Sequence, residues 1–207
     1  MKKTFFVAAM FAAFAFTSCS SENSAENAEA TTGQHGEATE TGAMATSVVV
    51  ETPNFTSVAA PMQSQIDQLV SNYMTLKDAL VASDTEATKA AANEVLTIAR
   101  AMPVATLTTD EKAYAEEKTS EVISSAEKIA AASNLEAQRE HLELLSESVF
   151  SMAKAFNTAD QTLYYQHCPM ALNDKGAYWL SSNEQIQNPY FGDKMLRCGS
   201  TEEVYKQ

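Results

Sequence analysis

Two short strings near the C-terminus hold the residues best suited to chemistry: His167-Cys168-Pro169-Met170 and Met195-Leu196-Arg197-Cys198. Thiolate and thioether are soft donors, and they select Cu(I) and related soft ions. Cys168 and Met170 are two apart, so an extended chain turns both side chains to one side. Met195 and Cys198 are three apart, so one helical turn puts both on one face. Facing each other, the two half-sites would offer a metal two thiolates, from Cys168 and Cys198, and two thioethers, from Met170 and Met195. His167 points away from Cys168 in an extended chain and ranks below the sulfurs, although an imidazole suits copper or zinc. The same cysteines also allow a disulfide, because thiols in an oxidising compartment usually pair. Closing a loop from Cys168 to Cys198 stabilises by about 3–4 kcal/mol in the chain-entropy model. A structural disulfide needs no methionine beside each cysteine, yet Met commonly fills core gaps. On the residues alone both readings stay open.

Other chemistry is thinly supplied. Glu136, Glu140, Glu143 and Glu147 line one helix, but a repeated carboxylate face is usually a solvated one. A di-metal carboxylate site in a bundle needs Glu-x-x-His, and Gln138 stands three residues before His141. His141 falls at the edge of an apolar stripe, where a half-buried, hydrogen-bonded ring is expected. Arg139 and Glu143 read as an i, i+4 surface pair. No P-loop, dinucleotide glycine pattern, serine-nucleophile elbow or zinc-protease helix motif occurs. The expectation is a protein that is not an enzyme. With 14 basic against 27 acidic residues in 207, the net charge of −13 argues against nucleic acid as a partner. No apolar run reaches the 18 residues of a membrane span.

The N-terminus sets the compartment. Lys2 and Lys3 precede an apolar run from Phe5 to Phe16, the pattern of a secretory leader. Phe16-Thr17-Ser18-Cys19 resembles a bacterial lipobox. That resemblance implies a signal peptide over 1–18 and a lipidated Cys19 held in the bilayer by its acyl chains. The expected place is the cell envelope, the outer membrane first, facing periplasm or exterior. Residues 19–58 read as an acidic, disordered tether, with no Lys or Arg between Lys3 and Lys77. His35 and Met44 are incidental to it, and Val48–Val50 is a short strand or the point where the tether docks.

Residues 59–207 must then position the sulfurs. No glycine lies between Met62 and Asn157, and the only proline there is Pro103. Such a stretch, rich in Ala, Glu and Leu, forms helices. Apolar spacing predicts four: about 62–82, one after Ser83 closed by Pro103, one from Thr108 with a stripe ending at Ile129, and one from Ser133 with a stripe ending at Phe156. Capping boxes are expected at Ser83/Glu86, Thr108/Glu111 and Ser133/Glu136. The fourth stripe, Leu135, Gln138, Leu142, Leu145, Val149, Met152 and Phe156, alternates gaps of three and four. Short joints make neighbours antiparallel. The predicted fold is mostly α: an antiparallel four-helix up-down bundle. An irregular, aromatic-rich C-terminal segment with short strands or turns follows it, from Gln161 onward.

That segment carries a resemblance. Its strings are Tyr164-Tyr165-Gln166-His167-Cys168-Pro169-Met170-Ala171, Gly176-Ala177-Tyr178-Trp179-Leu180-Ser181, Asn188-Pro189-Tyr190-Phe191-Gly192 and Met195-Leu196-Arg197-Cys198-Gly199. They resemble an uncharacterised domain family of short bacterial lipoproteins. The same domain occurs at the C-terminus of periplasmic adaptors of copper/silver-type efflux pumps. The likeness covers about Gln65 to Tyr205. It implies soft-metal handling, Cu(I) first, for buffering or hand-off to an efflux adaptor. The alternative is a disulfide-stapled helical interaction module without a metal.

Overall fold

The computed structural model describes residues 50–158 and 160–207. The leader, Cys19, His35, Met44 and the tether through residue 49 lie outside the described residues.

Helix α1, Ala60–Val81, carries Pro61 in its first turn, where an N–H has no intrahelical partner to lose. Its stripe of Met62, Ile66, Leu69, Tyr73, Leu76 and Leu80 is fully buried. The end of α1 differs from expectation. Ser83 does not open a capping box; it takes a left-handed φ of 57°. The Asp84 N–H then reaches back to Ala79 O, a Schellman-type stop. Asp84 caps α2, Thr85–Arg100, by accepting the N–H groups of Glu86 and Ala87. After Pro103 and one 3-10 turn comes α3, Thr109–Ala131. The Thr108/Glu111 box is present: Glu111 Oε2 accepts from the Thr108 N–H and hydroxyl at 2.9 and 2.7 Å. Those bonds hold the Glu111 carboxyl below its ordinary range.

The fourth predicted helix is two pieces, α4 (Leu135–Arg139) and α5 (Leu142–Ala155). Asn134, not Ser133, caps α4, accepting the Ala137 N–H at 3.0 Å. What α4 grips explains the break. Gln138, fully buried, donates to Thr85 O, and Arg139 donates to Leu80 O and to Ser83 Oγ. Both side chains bind the α1–α2 corner, while α5 packs along α3 and α1. The apolar stripe reads through because the interruption is only Glu140 and His141.

The C-terminal segment forms a three-stranded antiparallel sheet. Strand β1 (Leu163–Cys168) lies between β2 (Ala177–Ser181) and β3 (Ser200–Tyr205). Alternation gives the sheet two different faces. Tyr165, His167, Tyr178 and Leu180 share the face toward α5, where Phe150 stacks on Tyr165 at 5.0 Å. On that face the Leu180 N–H donates to the Tyr73 hydroxyl at 3.0 Å, and that hydroxyl lies 2.7 Å from Ser146 Oγ. Gln166, Cys168, Ala177 and Trp179 share the other face. Residues 182–199 cover it: Gln166 Nε2 donates to the carbonyls of Asn183 and Glu184, and Trp179 meets Tyr190 edge-on.

Residues 50–58, which composition assigns to the tether, lie against the helices and β3. Phe55 sits 5.8 Å from the Tyr114 ring and 5.1 Å from Phe156, and its N–H donates to Ala155 O. The Val50 N–H donates to Glu203 Oε2, and Lys154 Nζ donates to Val50 O. Lys154 also pairs with Glu203. One aromatic and one strong pair thus fix a stretch whose average composition is that of a spacer.

Candidate metal-binding site

Cys168 ends β1, opposite Ala177, and is fully buried. Cys198 reaches it from the covering loop, and the two Sγ atoms stand 3.0 Å apart as free thiols. Asn188, also fully buried, is the hub of that loop. Its Nδ2 donates to Cys198 O at 2.8 Å, and its Oδ1 accepts the Tyr190 and Phe191 N–H groups. Its own N–H donates to Leu196 O. Gly199 then carries the chain across β1 with φ 141°. A Cβ there would lie 2.6 Å from His167 O and 2.8 Å from the Trp179 ring. Only glycine allows so close a crossing, and the crossing delivers Cys198 to Cys168. Neither Asn188 nor Gly199 stands out in the sequence as a site residue. Asn188-Pro189 reads only as a turn there, and the glycine carries no signal beyond its position.

The methionines are placed differently. Strand β1 stops at Cys168, and Met170 adopts a helical φ, ψ of −90°, −6° at the start of a turn. The two-residue spacing therefore does not put Cys168 and Met170 on one side of an extended chain. Met170 is 46% exposed. Met195 and Cys198 are joined by a tight turn, Cys198 N–H to Met195 O at 3.0 Å, with Met195 at φ −147° outside any helix. Both methionines line one cleft of about 830 Å3, together with Arg139, Tyr190 and Phe191. Neither cysteine lines that cleft. The four sulfurs fall into two pairs: thiols in contact under the loop, thioethers on a shared wall outside it.

Beside Met170 the backbone is strained. Leu172, Asn173 and Asp174 follow one another with left-handed φ of 50°, 60° and 62°, each costing roughly 1–2 kcal/mol for an L-residue. His167 lies on the opposite face from Cys168. Its ring stacks on Tyr178 at 4.3 Å, and a Cβ at Gly176 would come within 2.6 Å of its Nε2.

Arg139 does not pair with Glu143. Its guanidinium donates to Pro189 O at 2.7 Å as well as to the α1–α2 corner, so it ties the covering loop to the helices. Burial lowers its pKa from the ordinary value. Glu143 instead accepts the Tyr178 N–H at 3.3 Å. The hydrogen bond with Cys168 raises the Cys198 thiol pKa first, and burial adds to it.

Among the described residues no three His, Cys, Asp or Glu side chains gather as a metal site. A zinc centre of three or four such ligands is not formed there. What the chain offers is a close dithiol with thioethers nearby, a donor set for soft ions. No described helix is long and apolar enough to cross a membrane.

A family model described as "Protein of unknown function (DUF3347)" matches residues 69–161. That span runs from within α1 to the approach of β1 and stops before both cysteines. No curated protein and no solved structure matches the chain.

Proposed function

We propose that the chain is an envelope lipoprotein, anchored through Cys19, that binds a soft metal ion at Cys168 and Cys198. Cu(I) is the first choice of ion, and the role is buffering or hand-off to an efflux adaptor rather than catalysis. One observation carries the reading: two thiols from segments thirty residues apart meet at 3.0 Å. A thiolate–metal bond of about 2.3 Å, as for zinc, lets two thiolates on one ion stand up to ~4.6 Å apart. The thiol pair therefore needs to open by at most ~1.6 Å, and Cys198 lies on a loop rather than a strand. Exposed Met170 and half-buried Met195, which line the neighbouring cleft, are the thioethers through which a soft ion would arrive or leave. Exchange between soft donors needs no catalytic acid or base.

The test is Cu(I) titration of the reduced mature protein against a chromogenic chelator. One equivalent bound tightly, lost in Cys168→Ser, is the expected result. Equal affinity in that variant overturns the reading.

The same contact also favours a second reading, a disulfide-stapled interaction module, because facing thiols in an oxidising compartment oxidise readily. Thiol counting on unreduced, cell-derived protein separates the two. No free thiol supports the staple, and two support the metal site.

A further inference from the structure

The face of the sheet opposite the thiols borders a second cavity, of about 480 Å3, between α3, α5 and the strands. That volume suits a small organic ligand. Three phenols reach it, from Tyr114, Tyr165 and Tyr178. Tyr165 is only 3% exposed, and its hydroxyl has no hydrogen-bond partner among the described residues although it borders the cavity. The ring is buried while the hydroxyl is open to the cavity, so it can bond a molecule held there.

The charge of the walls decides which. Glu143 and Glu147 come from α5, Glu117 from α3 and Glu51 from the docked N-terminal segment. The one cation is Lys118, and it is already held by Glu117 at 3.2 Å and Glu121 at 3.0 Å. No Lys or Arg among the described residues pairs with Glu143, Glu147 or Glu51. Glu143 and Glu147 are one helical turn apart, a spacing of about 5–6 Å between Cβ atoms. Burial first, and the Glu147 charge next, push the Glu143 carboxyl up against the pull of the Tyr178 N–H and of His167.

A single small cation is the wrong shape. These carboxylates do not converge as three ligands on one point; they are spread along walls from different elements. The aromatic faces are also taken, because Tyr165 lies between Phe150 and Tyr178. A cage for a quaternary ammonium would need open ring faces. What remains is a slot edged by separated carboxylates and phenol oxygens.

We propose that this cavity binds an elongated organic polycation, a di- or polyamine, whose ammonium groups pair with Glu143 and Glu147 and donate to the Tyr165 hydroxyl. The site is separate from the thiols and stands or falls independently of them.

Spermidine is the probe, titrated calorimetrically into the full mature chain at moderate salt. Saturable one-to-one binding is expected, weakened about tenfold or more by the Glu143→Gln/Glu147→Gln pair, as loss of charged hydrogen bonds implies. Tyr165→Phe removes only the hydroxyl and should weaken binding several-fold in a protein that stays folded. 1,4-Butanediol, of similar shape without charge, should not bind. Failure to saturate at millimolar spermidine overturns the proposal. So does equal binding by the double variant, which would be general attraction to an acidic surface. Displacement by equimolar Ca2+ would reassign the site to a hard metal ion.

Discussion

In the helices, burial does the positioning. Ile66, Leu69, Tyr73 and Leu76 of α1 share one apolar core with Leu142, Leu145 and Val149 of α5, all fully buried. In the loop that covers the sheet, hydrogen bonds to one asparagine and one glycine crossing do the same work. The first kind of order is redundant, since many apolar contacts share it. The second depends on a few groups, each of which can be removed singly. The helices therefore make a stable platform, and the thiol pair is the part most easily disturbed without unfolding the rest.

The largest effect should come where the two regions meet. Phe150 is fully buried on α5 and stacks on Tyr165 of β1. Phe150→Ala should cost about 3–5 kcal/mol, the range for a buried Phe truncation. If helices and sheet are one cooperative unit, far-UV and near-UV signals should melt together in denaturant. Separate transitions would show that the sheet folds as an appendage.

Asn188→Ala should separate the regions. It leaves the Tyr190 and Phe191 N–H groups and Cys198 O without partners inside the loop. A buried unsatisfied group costs roughly 1–3 kcal/mol, so a loss of about 2–3 kcal/mol is expected. The effect should be local. Hydrogen exchange should quicken over 182–199 and stay slow in α1 and α3, while disulfide formation between Cys168 and Cys198 slows. Uniform loss of protection would mean that the loop is part of the global core.

These two cases also explain what the sequence could disclose. Periodic burial writes itself into spacing, so α1 and α3 are found within two residues of their ends. Caps compete among neighbours: Ser83 and Ser133 look like starts, yet Asp84 and Asn134 take the role. The α4–α5 break is hidden because Gln138 and Leu142 keep the stripe in phase across it. The docking of residues 50–58 rests on Phe55 and Val50, which a composition average dilutes. At the candidate site, soft-donor chemistry is legible from Cys168 and Cys198 alone. Their juxtaposition is not, because Asn188 and Gly199 act through non-local contacts that leave no periodicity. The methionine spacing misleads for a simple reason: β1 ends at Cys168, so the extended-chain argument has no chain to act on.

A subtler link between regions runs through Tyr73. The Leu180 N–H donates to its hydroxyl, which meets Ser146 Oγ, and Ser146 in turn donates to Leu142 O. Tyr73→Phe keeps the packing and leaves the Leu180 N–H buried without an acceptor. The expected cost is about 1–2 kcal/mol, read as a lower denaturant midpoint with an unchanged slope. No change would mean that β2 rests on α1 by packing alone.

The smallest effect has a sign that is easy to mistake. Glu143 faces Glu147 on its own helix, His167 of β1 and the Tyr178 N–H of β2, with Glu117 and Lys118 of α3 across the cavity. Burial first, and Glu147 next, raise its carboxyl above the unfolded value, against the pull of the Tyr178 bond and of His167. The folded state therefore holds this proton more tightly than the unfolded one. Its stabilising share is present at low pH and is lost as pH rises through the raised value. Glu143→Gln keeps an acceptor for the Tyr178 N–H and carries no charge at any pH. It should raise the melting temperature at pH 7 by about 1–2 °C, and the gain should vanish near pH 4, where the native carboxyl is itself protonated. A variant less stable at pH 7 would show that the Tyr178 bond outweighs burial. The carboxylate would then be anchoring β2 to α5, and the case for an unmet negative charge in the cavity would weaken with it.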